Sequence, residues 1–324
     1  MPANLTPQYR AAEARFKSAH TFEERRTALE EMLATIPKHK GTEKMQADLK
    51  RRLARLRHEE ESRTSRHGHT IKVDPEGAAQ IVLVGPPNCG KSSLLAVLTH
   101  AEPAIAEYPF TTTRPQPGMM MFEDVQIQLV DLPPVAAQHL DPWLPGLVRG
   151  ADAALLVVDP TSSELPEDVE VVRERLAAAH APLVGEIPGN VDPRDNPLPT
   201  LMVITKADRA RDEDVKVLEE LYGSQYVLLR VSVATHAGLE ALKVAVWRRL
   251  QLVRVYSKPP GKPVDRSAPF VLPVGHTVAD LAERVHREIA EKMHFARVWG
   301  GKLEGQRVAR DFELRDRDVV ELHV

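Results

Sequence analysis

One cysteine, Cys89, occurs in 324 residues, so no disulfide can form within the chain and a reducing cytoplasm is the expected setting. No apolar run reaches the roughly 20 residues that a bilayer-spanning helix needs, and the N-terminus lacks the pattern of a secretory signal. Strong net charge is missing too: 43 Lys and Arg face 46 Asp and Glu, a balance of -3. The chain as a whole is no polyelectrolyte, so any nucleic-acid surface must be local. His276, His286 and His323 stand at no metal-binding spacing. The apolar fraction of 43% and charged fraction of 27% are ordinary for a folded globular protein. The length suits two or three domains.

What is present begins with Gly85-Pro86-Pro87-Asn88-Cys89-Gly90-Lys91-Ser92, the G-x-x-x-x-G-K-S spacing of a phosphate-binding loop. A β-branched apolar run, Gln80 to Val84, precedes it, and Ser92 to Leu98 follows with a helical apolar stripe. Strand, glycine-bounded loop and helix is the context this motif requires. The glycines let backbone N–H groups surround phosphate oxygens, and the helix N-terminus, with Ser92 and Ser93 in its first turn, adds unpaired donors. Lys91 is expected to reach the β- and γ-phosphates, and the Ser92 hydroxyl to bind Mg²⁺. The small side chain of Cys89 suits the packing of such a loop.

Around this motif, strands are expected at Gln80–Val84, Val125–Val130, Ala153–Val158, Leu201–Ile204 and Tyr226–Val231, alternating with helical patterns. That alternation predicts a mostly parallel sheet with helices on both faces, and its ligand lies at the carboxyl ends of the strands. Four further fragments fall there. Asp131-Leu132-Pro133-Pro134 places an acid after a strand, where it holds Mg²⁺ through water. Thr205-Lys206-Ala207-Asp208 offers a carboxylate that accepts from the two adjacent donors of guanine, a pair adenine does not present; the Lys206 stem lies along the base plane. Ser232-Val233-Ala234 closes a base pocket with backbone groups. Phe110-Thr111-Thr112-Thr113 supplies a threonine for the Mg²⁺ shell, and chemistry alone does not choose among the three. Together they predict a GTP-binding domain.

Before this domain, Thr21-Phe22-Glu23-Glu24 is a capping box for a helix carrying Leu29, Met32, Leu33 and Ile36 on one face. A second stripe runs through Met45, Leu49, Leu53 and Leu56, so a helical hairpin is expected. Its second helix is basic, with Lys44, Lys50, Arg51, Arg52, Arg55 and Arg57 beside Lys38 and Lys40. That charge either meets RNA phosphates or forms a solvated face balanced by Glu59, Glu60 and Glu61. A polar linker is expected from Glu59 to His69. After the nucleotide domain, Lys258 to Pro263 reads as a linker. Strands are expected at Pro269–Pro273, Ala296–Trp299 and Val319–Val324 around one helix, which Thr277 and Asp280 cap and whose apolar face holds Leu281, Val285 and Ile289. Trp299 is expected in the core. This pattern points to a small ubiquitin-like β-grasp.

The fragments GPPNCGKS, YPFTTTRP, DLPP, TKAD and SVATHAGL together resemble the Obg family of translation-factor-class GTPases, and within it the developmentally regulated GTP-binding (DRG) proteins. The stretch from Ile36 to Glu43 into Leu53–Arg57 is similar to their N-terminal helical arm. Arg254-Val255-Tyr256 through Ala296–Gly300 to Asp318–Glu321 is similar to their C-terminal TGS domain. The resemblance implies a helical arm over residues 1–70, a GTPase domain over 71–252 and a TGS β-grasp over 253–324. It implies Ser92 and Thr112, with Asp131, around Mg²⁺. It also implies that Asn88 holds a monovalent cation, usually K⁺, which with Lys91 and Thr112 serves slow GTP hydrolysis. A ribosome or RNA partner is implied for the basic helix and the TGS domain.

Four departures bear on these expectations. Pro134 stands where the family has a glycine whose N–H meets the γ-phosphate, and proline has no N–H. Val135 follows, so no glutamine is there to orient water. Thr205 replaces an asparagine, although its hydroxyl can still bond the phosphate loop. The interval from Asp131 to Thr205 is too short for the insertion found in DRG proteins, and a Pro/Gly/Asp-rich loop from Gly185 to Pro199 occupies part of it. The first departure raises an alternative function: a nucleotide-gated binding module with little or no hydrolysis. A phosphate-loop ATPase or kinase is the third reading, and Asp208 argues against it.

Overall fold

A computed structural model describes residues 71–99, 114–136, 140–162 and 164–324, with helical residues 8, 9, 12, 15, 16, 22–36, 49 and 51 of the arm. The chain divides into two compact units, Met1–Thr70 and Ile71–Val324. In the first, Leu29 and Met32 of helix α1 (Phe22–Thr35) and Ile36 just after it lie in one buried cluster with Tyr9, Ala12 and Leu49; Met45, Leu53 and Leu56 of the second expected stripe lie outside the described residues. The part played by Tyr9 and Ala12, from an earlier helical segment, was not anticipated. Thr21, the residues from Lys38 to Lys44, Lys50, Arg52, Arg55, Arg57 and the Glu59–His69 stretch lie outside the described residues.

The second unit contains two sheets. Strands β1 (Gln80–Val84), β2 (Gln116–Phe122), β3 (Val125–Asp131), β4 (Ala153–Val158), β5 (Leu183–Val184), β6 (Leu198–Ile204) and β7 (Val227–Arg230) form the first. The order is β2-β3-β1-β4-β6, with β5 and β7 each pairing β6. Every pairing is parallel except β2 with β3. Helices α2 (Lys91–Thr99), α3 (Leu144–Gly150), α4 (Leu165–Ala178), α5 (Asp212–Tyr222) and α6 (Leu239–Leu250) cover its faces. The central strand β4 is apolar at every position, and β1 and β6 nearly so, because both faces are packed. In β1, Val82 and Val84 enter the core that includes α3, α4 and α5. Ile81 and Leu83 enter the opposite core, with Leu94 and Leu98 of α2 and Leu242 and Val246 of α6.

β2 was not anticipated. Pro117 and Gly118 read as breakers, but the strand lies at a sheet edge, where proline is tolerated. Its seven residues pair with β3 throughout, from Gln116 opposite Asp131 to Phe122 opposite Val125.

The second sheet comprises β8 (Leu252–Ser257), β9 (Phe270–Pro273), β10 (Phe295–Gly300), β11 (Leu303–Val308) and β12 (Asp318–His323), in the order β11-β10-β12-β8-β9. Helix α7 (Val278–Val285) packs Val278 and Leu281 into this core. Its start is fixed as expected: the Thr277 amide donates to the Asp280 carboxylate at 2.6 Å.

Three expectations are corrected. The helix does not run on to Ile289: His286 is extended (φ -170°) and accepts from the Glu288 amide, starting a separate helix α8 (Arg287–Lys292). Lys258 to Pro263, read as a linker by composition, is part of the connection between the antiparallel strands β8 and β9. The sheets are joined by Gln251 alone, in the left-handed region, between α6 and β8. Trp299 is half-buried rather than core, beneath the Lys258 ammonium.

Among the described residues no helix is long and apolar enough to cross a membrane.

Candidate functional site

The phosphate loop turns out of β1 and enters α2 under tight backbone constraint. Gly85 has φ 156°, and a Cβ there would lie 2.3 Å from the Val157 carbonyl oxygen of β4, so only glycine fits. Asn88 and Gly90 also take positive φ, 58° and 95°. The first amides of α2 have no acceptor one turn earlier, which is the property that makes a helix start an anion site. Lys91 is buried, its ammonium donating to the carbonyls of Gly85 at 3.1 Å and Pro86 at 2.9 Å. Burial pushes the Cys89 thiol pKa up, so this cysteine is a packing residue rather than a nucleophile.

Ser92 and Asp131 meet directly: the Ser92 hydroxyl donates to Asp131 Oδ2 at 2.5 Å. The other oxygen, Asp131 Oδ1, is buried with no hydrogen-bond partner among the described residues. Burial raises the Asp131 pKa, against the Ser92 hydrogen bond and the nearby Lys91 charge. An orphaned carboxylate oxygen beside a serine hydroxyl is the donor set of a hard, oxygen-seeking cation, so the residues present fit Mg²⁺. The third expected ligand, Thr112, and with it Phe110 and Thr111, lies outside the described residues.

Beyond Asp131 the chain folds back on the loop. Leu132 is fully buried and its amide donates to the Leu83 carbonyl at 3.3 Å. Pro133 and Pro134 have no amide to give. The next one, on Val135, donates to the Gly85 carbonyl at 3.2 Å.

The Thr205–Asp208 fragment, expected to read the base, is braced at three points. Thr205 Oγ1 donates to the Cys89 carbonyl at 2.7 Å and the Val158 carbonyl at 3.0 Å, so the replacement residue does tie this motif to the loop. Lys206, at φ 51°, places its ammonium 2.5 Å from Asp159 Oδ2 and 3.3 Å from the Asn88 carbonyl. Asp208 is held by the Ser232 hydroxyl, which donates to Oδ1 at 2.5 Å; this bond keeps its pKa below the usual carboxylate range. The Ser232 amide is committed to the Ala237 carbonyl, leaving Val233 and Ala234 as the backbone groups able to meet a base.

Asp159 was missed. It ends β4, and its carboxylate also takes the Thr161 amide and hydroxyl. An acid at the carboxyl end of a buried parallel strand was the available signal.

The expected Gly185–Pro199 loop ends at Pro197, because Leu198 and Pro199 open β6 and pair with β5; it belongs to the scaffold, with Arg249 donating to the Gly185 carbonyl and Asn196 to the Arg149 carbonyl. A groove of about 920 Å³ beside it, lined by Ile187, Val227, Val244 and Arg248, sits by the amino ends of the strands, away from the phosphate loop.

The fold and these braced loops define a phosphate-loop GTPase domain. Sequence comparison agrees. A family model described as "50S ribosome-binding GTPase" matches residues 80–185, and the TGS domain model matches residues 253–324. An uncharacterized GTP-binding protein of Halobacterium salinarum is 29% identical over 362 residues, covering 92% of this chain and 98% of the relative. Developmentally-regulated G-protein 1 of Arabidopsis thaliana is 28% identical over 360 residues, covering 92% and 90%. The FeoB G-domain from Methanococcus jannaschii aligns with 53% of this chain and 97% of its own at 21% identity and TM-score 0.37. The chain joins a GTPase domain to a TGS domain and is similar to the developmentally regulated GTP-binding proteins over most of its length.

Proposed function

We propose that this protein binds GTP and GDP with Mg²⁺ at the phosphate loop, hydrolyses GTP slowly, and couples the bound nucleotide to association with RNA or the ribosome. The observation that carries the reading is the Ser92–Asp131 contact with its orphaned carboxylate oxygen. Bound there, Mg²⁺ would be held by Ser92 and Asp131, with Thr112 completing the set, and would offset phosphate charge. Lys91 supplies a second positive charge on the phosphates, its ammonium already aimed among loop carbonyls. Asp208, oriented by Ser232, reads the guanine edge, and Lys206, oriented by Asp159, lies beside the base. K⁺ beside the exposed Asn88 would add charge where other GTPases use an arginine. Titration with labelled GDP and GTP at millimolar Mg²⁺ tests the core of this reading: saturable uptake is expected, and none overturns it.

One observation favours a second reading, a nucleotide-gated binding module with little hydrolysis. Two prolines follow Leu132, and the first amide after them is engaged by Gly85, so the start of this segment has no backbone donor left for a γ-phosphate. Single-turnover phosphate release with K⁺ and ribosomes separates the two. Release no faster than in Lys91→Ala supports the module.

A further inference from the structure

Arg254, in β8 of the TGS sheet, is buried with its side chain only 3% exposed. Its guanidinium is shared between the two domains. Asp316 of the TGS domain takes a two-pronged pair, Nε at 3.0 Å and Nη2 at 2.7 Å. Nη1 turns to the GTPase domain, donating to Glu123 and, at 3.0 Å, to Asp124. These two acids form the turn between β2 and β3. Tyr256 donates to Asp124 at 2.6 Å and Arg317 to Glu123 at 2.6 Å, so both acids are also held from the TGS side. Below, Arg254 lies over Trp247 of α6 at 5.1 Å, which stacks on Phe122 at 5.4 Å.

The same hairpin reaches the phosphate site at its other end. Gln116, where β2 begins, pairs with Asp131, where β3 ends. Two residues separate Gln116 from the Thr111–Thr113 run. Midway, Gly118 lies so close to Thr99 of α2 that a Cβ would come within 2.7 Å of its hydroxyl. The strand pair thus touches the metal carboxylate and the phosphate-loop helix at one end and the TGS domain at the other. β2 is an edge strand that joins the sheet only through β3, so the metal carboxylate at the end of β3 and the acids of the turn belong to one strand pair. If the hairpin moved away, Arg254 would keep Asp316, but its Nη1 would lose both acceptors, a costly change for a buried guanidinium.

We propose that the clasp of Arg254 on Glu123 and Asp124 is a coupling device: the β2–β3 hairpin links the nucleotide held at the phosphate loop to the docking of the TGS sheet. The inference rests on the nucleotide reading above. By thermodynamic reciprocity, a clasp that responds to GTP against GDP must itself bias their relative affinity; a clasp that merely glues two domains leaves that ratio alone.

The test compares dissociation constants of labelled GDP and a labelled non-hydrolysable GTP analogue, at saturating Mg²⁺, for the full chain and two variants. The double variant Glu123→Gln, Asp124→Asn removes the charge facing Arg254 and keeps its pair with Asp316. Tyr256→Phe removes one hydrogen bond and is the milder lesion. The ratio of the two constants is expected to shift about fivefold or more in the double variant and about twofold, in the same direction, in Tyr256→Phe. Wild-type binding with an unchanged ratio in both variants overturns the clasp and leaves the nucleotide site standing. Absence of wild-type binding overturns both. If the double variant fails to fold, Tyr256→Phe decides: a twofold shift supports the proposal and no shift overturns it.

Discussion

The Thr205 hydroxyl reaches 116 residues back along the chain to donate to the Cys89 carbonyl at 2.7 Å. This one bond joins the Thr205–Asp208 segment, proposed to read the base, to the phosphate loop. It has a second acceptor in the Val158 carbonyl, so the hydroxyl stands where the phosphate loop meets the ends of β4 and β6. Thr205→Val keeps the shape and removes the donor from a buried position, at a cost of about 1–3 kcal/mol. Weaker binding of GTP and GDP alike is expected. Thr205→Asn, which restores a donor, should recover it. Equal affinity in Thr205→Val and wild type, by equilibrium titration, counts against the link.

Base selectivity is expected to depend on Asp208 and, through it, on Ser232. Asp208→Asn replaces a two-oxygen acceptor with a group that carries one acceptor, and guanine-over-adenine preference should fall about a hundredfold or more. Ser232→Ala leaves the carboxylate in place without its 2.5 Å brace; a loss of about three- to tenfold in GDP affinity is expected. Competition titrations with ATP measure both. Unchanged selectivity in Asp208→Asn would remove this residue from the base pocket.

How far the sequence carried the fold depends on which physical signal each part left. The parallel strands were legible because burial on both faces makes them continuous apolar runs, as in Ala153–Val158. β2 was not, because Pro117, Gly118 and three methionines carry no strand alternation, and its pairing with β3 supplies what local preference does not. The break at His286 lacks proline or glycine and shows only once the side chain caps α8. Thr205 was readable from its chemistry alone. Asp159 showed only its place after a buried strand; its partner Lys206 lies 47 residues further on and meets it only in the fold. Arg254 was not readable: its carboxylates lie about 130 residues before it and 62 after it.

Gly85 offers a direct probe of loop strain. A methyl group there would press on the Val157 carbonyl at 2.3 Å, and that acceptor belongs to a buried central strand that cannot retreat. Gly85→Ala is expected to destabilise the domain by about 2 kcal/mol or more and to weaken nucleotide binding through the displaced loop. Thermal melting with and without GDP reads both effects. A wild-type melting temperature would refute the close approach.

The acid stability of the interdomain clasp follows from its charges. The Arg254 and Arg317 hydrogen bonds hold the Glu123 carboxyl below its ordinary 4.5. Asp124 and Asp316 also lie below 3.8: burial opposes this, but hydrogen bonds from Tyr256 and Arg254 to the first, and from Arg254 to the second, outweigh it. A carboxylate whose folded pKa is depressed releases its proton more readily in the native state. Its stabilisation is therefore complete above the unfolded pKa and is lost as pH falls through that value toward the folded one. For these three acids the loss begins near pH 4.5 and continues below 3.8. Wild-type melting temperature should accordingly decline across that acid range more steeply than that of the double variant Glu123→Gln, Asp124→Asn, in which only Asp316 still titrates against Arg254. Above pH 6 the wild type should be the more stable, the difference shrinking in high salt for the exposed Glu123–Arg317 arm and persisting for the buried Arg254. Parallel melting curves for the two proteins from pH 7 to pH 3 would show that these carboxylates do not hold the domains together.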